Sequence, residues 1–117
     1  MPADSLADLT AQVRQFADAR DWQQFHSPKN LASALIVEAA ELLEHFQWLS
    51  GAESESLDAA KRADVELEMA DVLIYLVRLA DRLQINLVDA AAKKLAINAQ
   101  KYPVERSKGS NRKYTEP

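Results

Sequence analysis

The stretch ELEMADVLIYLV, Glu66–Val77, decides the fold. Periodicity assigns it to a helix over about residues 64–83. Val65, Met69, Val72, Leu73, Leu76, Ala80 and Leu83 make one broad apolar face, and Leu67 and Ile74 make another. A helix apolar on nearly all sides needs cover on all sides, which in so short a chain points to a second subunit. Asp71 is the anomaly, because burying an unpaired carboxylate costs on the order of several kcal/mol. Between the two faces, Glu68, Asp71 and Tyr75 form a polar strip at i, i+3 and i+7. Asp71 must therefore reach water or meet a cation.

Working outward, three more helices can be read. Upstream, Ser27-Pro28 serves as N-cap and first helical residue of a helix that runs to about Leu49 and stops at Ser50-Gly51. Leu31, Leu35, Leu42 and Leu49 fall in a narrow stripe, and Glu38 lies within about 20° of its centre at 100° per residue. Glu41 sits on the flank one turn away, and Glu44 points to the opposite, solvated side. An earlier helix starts at Ser5, with Asp8 completing an imperfect capping box, and ends near Arg20. It carries Leu6, Leu9, Val13 and Phe16 at helical spacing. Downstream, Asn86 with Asp89 caps a fourth helix to about Tyr102, and Pro103 closes it. An aromatic connector, RDWQQFHSPKN, joins the first two helices. The polar link GAESESLDAAKRAD leaves room for a short helical turn. The expected architecture is all-α: a helical domain over residues 1–103, then a locally basic tail over 104–117.

Composition agrees. Of 117 residues, 48% are hydrophobic and 27% charged, which gives one domain a real core and excludes a disordered chain. Only 2 Gly and 4 Pro favour long helices over turn-rich sheets. The absence of Cys removes disulfides, thiolate chemistry and Cys-based zinc sites together. A net charge of -4 argues against nucleic-acid polymers and acidic membranes as partners. VLIYLV is too short to span a bilayer, and MPADSLADL lacks the basic and long apolar regions of a signal peptide. The expectation is a soluble cytoplasmic protein.

The chemistry lies in the carboxylates. EAAE supplies Glu38 and Glu41, EMAD supplies Glu68 and Asp71, and each pair sits at i, i+3, neighbours on a helix surface. If the two helices pack together, four carboxylates converge. Bare, they repel and raise one another's pKa. A divalent cation resolves this, and oxygen donors without Cys suit Mg²⁺ first and Mn²⁺ second. A di-iron bundle would use Glu-x-x-His pairs, and neither His26 nor His45 has Glu three residues before it. The bland alternative is a set of rim charges with their heads in water. On the fourth helix Lys94, Asn98 and Lys101 line up at i, i+4 and i+7, where they can meet phosphates.

EAAE followed after 26 residues by EMAD resembles the ExxE…ExxD signature of the MazG-like all-α nucleoside triphosphate pyrophosphatases. RDWQQFH with PKNL, FQW, DVLIYLV, IN with KYP, and RKYTE are similar to the dCTP pyrophosphatase branch of that family. The resemblance implies a four-helix-type subunit in a dimer or dimer of dimers. It implies Mg²⁺-dependent hydrolysis of a (d)NTP to the monophosphate and pyrophosphate, with dCTP and modified dCTP preferred. It gives the metal to Glu38, Glu41, Glu68 and Asp71, and nucleotide recognition to Trp22, Phe25, His26, Trp48 and Tyr75. The water's proton is assigned to Glu38 or Glu41. Some dCTP-specific relatives carry His three residues before the position of Phe16; here Val13 stands there, so any contact through that His is missing. The rival readings are a broad-specificity (d)NTP pyrophosphatase and a non-enzymatic nucleotide- or metal-binding helical module.

Overall fold

In the computed structural model, which describes residues 5–116, a polar side chain starts every helix but the last. Ser5 accepts from the Asp8 amide, Ser27 from Asn30, Asp58 from Lys61 and Asn86 from Asp89, at 2.8–3.2 Å. These bonds satisfy amides that the first helical turn leaves without a partner. The helices they start are α1 (Leu6–Ala19), α2 (Pro28–Glu44), α4 (Ala59–Leu83) and α5 (Leu87–Lys101). Between α2 and α4, Ser50 and Glu53 form a reciprocal capping box on the short α3 (Gly51–Ser54). A last short helix, α6 (Val104–Ser107), follows Pro103. There is no strand among the described residues.

Two boundaries differ from the sequence reading. α2 ends at Glu44 instead of Leu49. From there the backbone closes i, i−3 bonds, with the His45 amide donating to the Leu42 carbonyl, Phe46 to Leu43 and Leu49 to Phe46. The helix tightens into turns once its apolar stripe gives way to HFQW. α4 begins at Ala59 instead of about residue 64, because Asp58 caps it and the polar residues 59–64 form its solvated first turns. Asp58→Ala is expected to destabilise the fold by about 1 kcal/mol. A urea titration should show the midpoint lowered with an unchanged slope.

The chain divides after Gln84 into two compact units. In the first, α4 is the central element, packed most extensively on α2 and also on α1. Ala17, Leu31, Val65, Val77 and Ala80 are its buried apolar residues. Much of the apolar surface of α4 stays uncovered, including Leu67 at 69% exposure and Met69 at 56%. The second unit holds α5, α6 and the expected tail. There Tyr102 and Tyr114 meet edge to face, and the Lys101 ammonium lies over the Tyr114 ring at 4.7 Å from its centroid. No helix among the described residues is long and apolar enough to cross a membrane.

Candidate functional site

α2 and α4 bring Glu38, Glu41 and Glu68 together where the two helices pack. Glu38 and Glu41 on α2 and Glu68 on α4 are half-buried, and each offers an oxygen within 4.8 Å of the others. Glu38 Oε2 and Glu68 Oε2 are buried and meet no hydrogen-bond donor. An ionised carboxylate only accepts, so three of them facing one another leave acceptors with nothing to accept. The field acts on Glu38. Burial, the Glu41 and Glu68 carboxylates beside it, and the charges of Glu41 and Asp71 push its pKa up to about 7. Without a cation, Glu38 keeps its proton up to about neutral pH.

Asp71, one turn beyond Glu68, is exposed. It adds charge at Glu38 but lies outside the trio of converging oxygens. The isolated chain thus lets Asp71 reach water, while the unmet acceptors belong to Glu38 and Glu68. A hard divalent ion fits this donor set: all oxygen, clustered, with two buried lone-pair sites unmatched by any protein donor.

The aromatic connector before α2 folds back on α1. Trp22 meets Phe16 edge-on at 5.7 Å between ring centroids and His26 at 6.0 Å. Phe25 is 60% exposed, and Trp48, beyond the end of α2, is 87% exposed. Tyr75 is half-buried on α4. In the second unit, Lys94 is exposed and Asn98 half-buried, one turn apart on α5. That unit also holds a cavity of about 450 Å³ lined by Lys101, Arg106, Arg112 and Lys113 together with Tyr102 and Tyr114.

The sequence reading missed a second polar cluster, formed by Arg14, His26, Arg78 and Asp81. Arg78 donates through Nε to His26 Nδ1 at 3.1 Å. Its Nη1 reaches Asp81 Oδ2 at 3.4 Å, and Arg14 grips both Asp81 oxygens at 2.9 and 2.7 Å. Arg14 holds the Asp81 carboxyl below the usual range. The sequence puts Arg78 at the next i+3 step of the strip of Glu68, Asp71 and Tyr75, but nothing local puts it beside His26, 52 residues away. His26 just before α2 meets Arg78, while Glu38 further along α2 meets Glu68 earlier on α4. The two helices therefore run antiparallel, with a carboxylate cluster and a His–Arg pair along one seam.

A helical protein whose central seam presents converging carboxylates is the class defined here, and the chain belongs to the MazG-like family, whose model matches residues 34–116. The dCTP pyrophosphatase 1 of Rattus norvegicus is 45% identical over 117 residues, covering 98% of this chain and 69% of its own length. The Homo sapiens dCTP pyrophosphatase 1 is 43% identical over the same shares. Among solved structures, a pyrophosphatase from Archaeoglobus fulgidus superposes with a TM-score of 0.80 at 41% identity, over 88% of this chain and 96% of that one.

Proposed function

We propose that this chain is a divalent-metal-dependent nucleoside triphosphate pyrophosphohydrolase that prefers dCTP and its modified forms and cleanses the nucleotide pool of the cytoplasm. The observation that carries the reading is the trio of Glu38, Glu41 and Glu68 with two buried oxygens that no donor meets. The dCTP pyrophosphatase relatives support the substrate.

Glu38, Glu41, Glu68 and Asp71 are assigned the ion, Mg²⁺ before Mn²⁺. When bound, a divalent ion supplies positive charge that offsets both the carboxylates and the triphosphate and polarises the phosphoryl group under attack. Release of pyrophosphate places that attack at the α-phosphorus. Glu38 or Glu41 is assigned the proton of the attacking water. Lys94 and Asn98 are assigned the phosphates, and Trp22, Phe25, His26, Trp48 and Tyr75 the nucleoside. The exposed apolar face of α4 supports a homo-oligomer, a dimer or dimer of dimers. The charge balance supports neither nucleic-acid polymers nor membranes as partners.

The test is release of pyrophosphate and monophosphate from each common ribo- and deoxyribonucleoside triphosphate with Mg²⁺, repeated on the best substrate with Asp71→Asn. Selective dCTP turnover lost in the variant is the expected result. Equal turnover of all nucleotides would remove the cytosine preference. No turnover by folded protein with Mg²⁺ or Mn²⁺ would remove the enzyme reading.

A further inference from the structure

Arg78 is 4% exposed, yet it carries a permanent charge. A guanidinium is tolerated there only where its N–H groups are taken up. His26 takes the Nε–H and Asp81 an Nη1–H, and Arg14 in turn fixes Asp81. The chemistry of this arrangement dictates the state of the ring. Arginine has five donors and no acceptor form, so His26 Nδ1, which receives the Arg78 Nε–H, must be the lone-pair nitrogen. The proton of the neutral ring then sits on Nε2. Burial and the charges of Arg78 and Arg82 push the His26 pKa down, which keeps the ring neutral. His26 Nε2 has no hydrogen-bond partner among the described residues, the ring is half-buried, and the Trp22 indole stands edge-on beside it.

The position of the pair along the seam gives it a use. Ten residues of α4 separate Glu68 from Arg78, about 15 Å at 1.5 Å per residue. With the phosphates at the carboxylates and His26 assigned to the nucleoside, as proposed above, an extended nucleoside triphosphate would lie along this seam.

We propose that Arg78 is a positioning residue that locks His26 as a single donor, Nε2–H, which reads the N3 edge of the base. The proposal rests on the nucleotide reading above. Cytosine presents a lone pair at N3 and accepts the bond. Uracil and thymine carry a proton at N3, so two N–H groups would face each other and leave both without an acceptor. An unlocked histidine would lose this power, because its other tautomer presents a lone pair at Nε2 and welcomes N3–H. The lock therefore turns an ambivalent side chain into one that distinguishes cytosine from the other pyrimidines.

The experiment combines nitrogen-15 NMR of His26 with the ratio of kcat/KM for dCTP over dUTP and dTTP, in wild type, Arg78→Met and Arg78→Lys. The wild type should show Nδ1 unprotonated and Nε2 protonated. Arg78→Met should mix the tautomers and cut the ratio about tenfold or more, mainly through better use of dUTP and dTTP. Arg78→Lys retains a donor to Nδ1 and should restore both readouts, which a loss of packing alone would not do. Nδ1 found protonated in the wild type overturns the proposal, as does a folded Arg78→Met that keeps its full discrimination. If the wild type turns over no nucleotide, the enzyme reading falls by itself. The lock is then judged by whether dCMP, and not dTMP, shifts the His26 Nε2–H resonance; equal response to both overturns it.

Discussion

Glu38→Gln is expected to remove turnover and, in the absence of a divalent ion, to raise the melting temperature. The two effects share one cause. Glu38, Glu41 and Glu68 bring oxygens within 4.8 Å of one another, and two of those oxygens have no donor. A glutamine amide cannot ionise, and it supplies N–H groups to its neighbours. Satisfying a buried acceptor is worth about 1–3 kcal/mol, and a rise of several degrees follows for a domain of this size. The ion loses a charged ligand in the same step, so turnover should fall by about a hundredfold or more. Mg²⁺ at about a hundred times its Kd would stabilise the wild type by about 2.7 kcal/mol, and the variant should show little of that gain. Thermal melts with EDTA and with Mg²⁺, beside pyrophosphate release, read all three effects. A variant that keeps the full Mg²⁺ shift would show that the ion sits elsewhere.

The second large effect is on pH. Glu38 holds its proton up to about pH 7 in the fold, against an ordinary carboxyl value of 4.5. The folded state thus binds more protons than the unfolded state across that window. Its stabilising contribution is full below about pH 4.5 and is lost as pH rises through about 7. On the Glu38 contribution alone, metal-free protein should therefore melt lower at pH 8 than at pH 5.5. His26 works in the opposite sense: its pKa is lowered from 6.5, so its contribution is lost on acidification. Subtracting the Glu38→Gln profile from the wild-type profile isolates Glu38, and the difference should fall with rising pH. The ion competes with the same proton, so Mg²⁺ should bind more tightly as pH rises and level off above about 7. A Mg²⁺ affinity that does not change between pH 5.5 and 8 would separate the ion from Glu38.

The helical plan was legible because it rests on local signals. Ser5, Ser27 and Asn86 name their helices by side-chain chemistry that acts within three residues. Glu38 and Glu68 were legible because helical spacing put a charge on an apolar stripe. What escaped was non-local. Asp58 is one acid among several in a polar link, and only the fold shows that it caps α4. Asp71 reads like Glu68 along the sequence, but its exposure depends on which side of the α4 seam α2 covers. Arg78 looks like the end of an apolar run, and its burial is intelligible only beside His26, which lies 52 residues away. Periodicity assigns a face; it does not say which groups from other elements meet that face.

The two tryptophans have an optical consequence. They lie just outside opposite ends of α2, Trp22 before its start and Trp48 after its close, in unlike surroundings. Trp22 touches Phe16 and His26, whereas Trp48 is an almost bare indole. With only 2 tryptophans in the chain, its fluorescence separates into one emitter that senses the imidazole and one that senses water. A blue shift that survives in Trp22→Phe belongs to Trp48 and reports something settling over the far end of the seam. Quenching that vanishes in the same variant belongs to the His26 end. The chain thus carries its own pair of spectroscopic rulers, one beside each end of α2.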